Sequence, residues 1–109
     1  MIDVSLLKSL FEDELMIRKF LSVFKADVPV SLADLRDRIL SHDWEHASIV
    51  AHSLKSQLQY LKEEEASNVA FNIEKICDPS NPPDEYTVYN KFEILEKYMN
   101  GVFRKIDAY

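Results

Sequence analysis

An all-α fold, an antiparallel four-helix bundle with a short extra helix at the amino terminus, is predicted by three features of the sequence. Apolar residues recur at alternating spacings of three and four along most of the chain, the signature of helices that bury one stripe. No segment alternates apolar and polar residues with the period of two that a half-buried strand requires. The 109 residues are enough for one domain with one core and too few for two, so the stripes must share that core.

In chain order, Val4 to Phe11 is a short apolar helix with Leu6, Leu7 and Leu10 on adjoining faces, expected to act as a lid. Glu12 to Ala26 is helical, but Leu15, Met16, Ile17, Phe20, Leu21, Val23 and Phe24 cover too wide an arc for one stripe. One side packs inward; the other is either covered by the short first helix or open as a docking patch, for which Ile17 and Leu21 are the candidates. Pro29 suits the first turn of a new helix, where its missing N–H is no loss, and Leu32, Leu35 and Ile39 continue that helix to about Ser41. His42 and Asp43 break the pattern, and Asp43 is placed to cap the next helix, Trp44 to Lys62. Glu63, Glu64 and Glu65 form a charged corner. Ala66 to Cys77 is then expected to bury Val69, Ala70, Ile73 and Ile76, with Cys77 as a small apolar core residue. The prolines at 79, 82 and 83 make residues 78–84 a loop. Phe92, Leu95, Met99, Val102 and Ile106 keep heptad spacing through a long closing helix, about Glu85 to Ile106.

Composition narrows the function. A formal net charge of −6 with no basic stripe argues against general nucleic-acid binding, which draws on Lys and Arg neutralising phosphates. The single glycine, Gly101, lies inside a helical pattern, so no glycine-rich nucleotide loop is present. No apolar run approaches the roughly 18 residues of a membrane span. The first residues lack a secretory leader, and the lone cysteine cannot form an internal disulfide; the expected location is the cytoplasm.

The helix around residue 52 carries the chemistry. Trp44, Ala47, Ala51, Leu54, Leu58 and Leu61 form its buried seam, and Glu45, Ser48, His52, Lys55, Ser56 and Gln59 collect on the opposite side. His52 is thereby offered to solvent. Neutral imidazole is a competent nucleophile near neutral pH. Ser48 and Ser56, one turn to either side, leave room for an approaching partner, and Lys55 sets an ammonium one turn away that would offset the charge of an acquired phosphoryl group. No acidic residue stands at that helical spacing. Ile49 and Tyr60 flank the face. A metal-dependent hydrolase using His42, Asp43, His46 and His52 is a weaker reading, because the residues do not have the spacing of convergent ligands on one helix face.

Ala51-His52-x-Leu54-Lys55, then Leu61, then Ala66, Ala70, Ile73 and Glu74, resembles the core of histidine-containing phosphotransfer (HPt) domains of multistep two-component signalling. Upstream, Phe24 to Asp27, Pro29, Leu32, Leu35 and Asp43-Trp44 are also similar to that family, so the resemblance spans about residues 12 to 77. It implies a phosphocarrier in which His52 accepts a phosphoryl group from a receiver-domain aspartate, through the far imidazole nitrogen, and passes it to another receiver. Lys55 would be the phosphoryl's charge partner, and Ser48, Ile49, Ser56, Gln59, Ile17 and Leu21 the docking face. The implied partners are response-regulator receiver domains and a sensor or hybrid histidine kinase. The chain would need no cofactor, magnesium belonging to the receiver. The expected state is a monomer, or else a dimer through the Ile17–Leu21 face. Ser56 and Lys62 stand where the family has glycines, and these departures keep open a third reading, a helical adaptor that has lost phosphotransfer.

Overall fold

The structure, a computed structural model, describes residues 1–109. It is entirely helical: α1 Ser5–Leu10, α2 Glu14–Leu40, α3 Trp44–Tyr60, α4 Glu64–Ile76 and α5 Glu85–Asp107, with no strand. α2 packs on α3, α3 on α4, α4 on α5 and α5 back on α2, so these four helices enclose the core in a molecule of 44 × 22 × 20 Å. Leu35, Leu54, Leu58, Leu61, Ile73, Leu95 and Met99 are completely buried within it. α1 lies against α2 and contributes Leu7, also completely buried, with Ile2 and Val4 sealing its approach. No helix is long and apolar enough to cross a membrane.

The helix expected to begin at Pro29 is instead the second half of one 27-residue helix, with Pro29 in its interior. The cause is the buried seam, Ile17, Leu21, Phe24, Val28, Leu32, Leu35 and Ile39, which runs through the proline without a change of face. Pro29 removes one backbone hydrogen bond, a loss of roughly 3 kcal/mol relative to alanine. Burying Val28 and Leu32 on either side contributes roughly 1.5–3 kcal/mol each, enough to hold the helix together. The proline ring itself is exposed.

The same seam corrects the reading of the wide apolar arc. Ile17 and Leu21 are core residues, 2% and 3% exposed, and cannot form a docking patch or a dimer face. The open side of the arc is Leu15, Met16 and Val23. On α4 the buried stripe is Ala66, Ser67, Ala70 and Ile73, continued by Cys77, whereas Val69 and Ile76 are only partly buried; spacings of four, three and four put Cys77, not Ile76, in line with Ile73.

Asp13, Asp43 and Asp84 cap α2, α3 and α5, each side chain accepting a backbone N–H from the first turn. α2 and α3 end alike. The N–H of His42 bonds to the carbonyl of Ile39 and that of Asp43 to Arg38; the N–H of Lys62 bonds to Gln59 and that of Glu63 to Leu58. This paired closure requires a left-handed residue just past the helix, and His42 (φ 57°) and Lys62 (φ 53°) supply it, the positions where glycine is normally favoured. The backbone turn for which glycine is normally favoured is therefore made at residue 62 by a lysine. Side chains brace both turns: Arg38 bridges Asp34 and Asp43, and Lys105 reaches Glu63 from α5.

Candidate functional site

α3 and α4 form a tight hairpin pivoting on Lys62, and its register decides what stands beside His52. Ser48 donates its hydroxyl to the backbone carbonyl of Glu74 at 2.9 Å, fixing α4 against α3 one turn before the histidine. Ser56, one turn after it, donates to the carbonyl of His52 itself at 3.2 Å. Both hydroxyls are thus committed to backbone carbonyls and neither addresses the imidazole. What they leave is a small-residue rim around a ring that is 59% exposed.

The imidazole is held from one side only. His52 Nδ1 lies 3.0 Å from Glu74 Oε2, and Nε2 makes no hydrogen bond within the chain. Burial of the Glu74 carboxyl opposes its ionisation, but the Lys55 and His52 contacts outweigh that and hold it below the usual value of 4.5. An ionised carboxylate only accepts hydrogen bonds, so Nδ1 must carry the proton and donate it. In the neutral ring the lone pair then sits on Nε2, on the open side.

Lys55 is not the solvent-facing residue expected from its helical position. Its side chain is only 16% exposed and turns toward α4, where its ammonium lies 3.1 Å from Glu74 Oε1 and 4.9 Å above the Phe71 ring. The ammonium approaches Oε1 off the hydrogen-bonding direction, so the contact is an ion pair and Oε1 accepts no directed hydrogen bond. Lys75 flanks the other edge of this arrangement, 5.6 Å from the Phe71 ring. An acid is therefore present beside His52 after all, delivered by the neighbouring helix. Glu74 and Phe71 escape a reading of the α3 helix alone because they lie on α4. His52 and Glu74 lie eleven residues to either side of Glu63, and that equal distance from the turn is the signal that pairs them.

Of the other residues expected on the face, Ile49 and Gln59 are exposed, and Ser48 and Ser56 are half-buried. Ile17 and Leu21 lie in the core, away from any docking surface. An open depression lined by Ser48, Ile49, Glu74, Lys75 and Pro79 runs along the α3–α4 groove beside His52. The three histidines do not converge. His42 is 2.7 Å from Glu85 and stacks on Trp44, His46 is 2.9 Å from Asp43, and His52 has Glu74. No group of three or more His, Cys, Asp or Glu side chains is arranged to hold a metal ion.

No protein-family model, curated protein or solved structure matches this chain.

Proposed function

We propose that the chain is a histidine phosphocarrier of the HPt kind, its α2–α5 ring an antiparallel four-helix bundle with α1 as the extra helix. The observation that carries the reading is the one-sided grip on His52. Glu74 accepts a hydrogen bond from the Nδ1–H and leaves Nε2 exposed as the nucleophile. In the transfer, the Nε2 lone pair attacks the phosphorus of a receiver's aspartyl phosphate, the N–P bond forms as the P–O bond to the aspartate breaks, and the carboxylate leaves. The phosphorylated ring carries positive charge while Nδ1 keeps its proton, and the Glu74 carboxylate stabilises that charge through the hydrogen bond already in place. Return transfer runs the same steps backward.

The partner's receiver domain supplies the magnesium and the acidic pocket, and a sensor or hybrid histidine kinase feeds the relay. The chain supplies position: a nucleophile whose tautomer and ring orientation are fixed before encounter, on a rim of small side chains that a second protein can approach. The reading implies a cytoplasmic protein. Lys55 enters it in a revised role, as the cation that keeps Glu74 ionised, with its ammonium one turn from His52.

The test is phosphoryl transfer from a phosphorylated receiver domain to the wild type and to His52→Gln. Acid-labile label on the wild type that vanishes in the variant is the expected result. Label that survives in the variant, or no label from a panel of receivers and kinases, overturns the proposal and leaves a helical adaptor.

A further inference from the structure

The side of α2 that points away from the core carries a line of exposed apolar residues among its polar ones. Met16, Val23, Ala26, Val30, Ala33 and Leu40 are all exposed, Val30 at 70%. Lys19 and Asp37 complete their spacing, so the positions 16, 19, 23, 26, 30, 33, 37 and 40 follow one another at unbroken alternating intervals of three and four. At roughly 100° per residue this stripe lies opposite the buried seam, and it is the pattern of a helix that packs against another helix on its outer side. Scattered exposed apolar residues need no explanation; six of them aligned on one helix do.

We propose that this stripe is the contact surface for a second copy of the chain, with α2 running antiparallel to α2. One register makes the stripe complementary to itself. Met16 then faces Leu40 of the second copy, Lys19 faces Asp37, Val23 faces Ala33 and Ala26 faces Val30, and two-fold symmetry repeats each pair. The only two charges on the stripe meet as opposites, and each valine meets an alanine, the larger side chain filling the space beside the smaller. A parallel pair would instead place Lys19 against Lys19, Asp37 against Asp37 and alanine against alanine. Charge and size both select the antiparallel arrangement.

Asp27, beside the two-fold axis, faces its own copy, and the alanines bury little area; both keep the association weak and reversible. His52 lies on α3 toward α4, away from this face of α2, so pairing leaves both histidines of the dimer accessible. The inference does not depend on His52 carrying a phosphoryl group.

Sedimentation equilibrium from micromolar to submillimolar concentration tests it, with circular dichroism confirming that each variant keeps its helices. The wild type is expected to associate reversibly to a dimer, and Val30→Asp to remain monomeric throughout. Lys19→Glu and Asp37→Lys should each weaken association by about tenfold or more, because each sets like charges together at both ends, and the double exchange should restore it to near the wild-type value. A wild type that sediments as a monomer at every concentration overturns the proposal. So does a dimer that Val30→Asp leaves intact, or one in which the double exchange fails to compensate.

Discussion

At His52 a single carboxylate decides between two otherwise similar nitrogens. Glu74 accepts from Nδ1, and Nε2 is left with its lone pair toward solvent. Glu74→Ala should therefore redistribute the neutral imidazole toward the tautomer protonated at Nε2, which long-range proton–nitrogen NMR of the labelled ring reads directly; an unchanged tautomer would mean that Glu74 does not set it. The exposure of His52 was legible in the sequence, because the opposite seam of α3 is unmistakable. The partners of Lys55 and His52 were less so. The rotation of a helix tells which way a side chain leaves the backbone, not which neighbouring helix it meets, and Lys55 has a stem long enough to fold back onto Phe71 and Glu74.

At the level of the helices, the two turns that end α2 and α3 place His42 and Lys62 in the left-handed region, a conformation that costs a side-chain-bearing residue roughly 1–2 kcal/mol. Lys62→Gly removes that cost and adds flexibility to the unfolded chain, for a net gain of about 0.5–1 kcal/mol in the free energy of unfolding measured with urea. His42→Gly should gain less, since it also gives up the bond to Glu85 and the stacking on Trp44. The sequence located the break at His42 and the Asp43 cap, because those are local chemistry. But it ran α3 on to Lys62 and the charged corner to Glu65, whereas α3 ends at Tyr60 and Glu64 already opens α4. It misplaced the boundary at Pro29 because the local rule for proline was outweighed by a longer-range one, the unbroken seam from Ile17 to Ile39. The choice of Ile17 and Leu21 as candidates for a docking patch fails for a related reason. A helix apolar on two sides does not announce which side is buried, and only the packing of α2 on α3 and α5 resolves it.

For the molecule as a whole, the all-helical class followed from periodicity, which the packing of five helices on one core reproduces. Acid should weaken that packing in a defined range. The hydrogen bond from His46, aided by Arg38 and opposed by slight burial, holds Asp43 below its ordinary 3.8, and Glu74 is held below 4.5. A carboxyl whose folded value is depressed stabilises the fold fully above its ordinary value, and the contribution is lost as the pH falls through the folded one. The urea midpoint should therefore stay level from neutrality to about pH 5 and decline below about pH 4, with a shallower decline in Glu74→Gln. An identical decline in that variant would assign the acid sensitivity elsewhere.

Trp44, the sole tryptophan, is buried at the first turn of the helix that carries His52, with its indole stacked 5.1 Å from the His42 ring. The chain thus contains its own optical probe. Intrinsic fluorescence reports the environment of one indole, at the junction of α2 and α3, without any label. Ordering or loosening of the element that bears the histidine can be followed in real time as a partner is added.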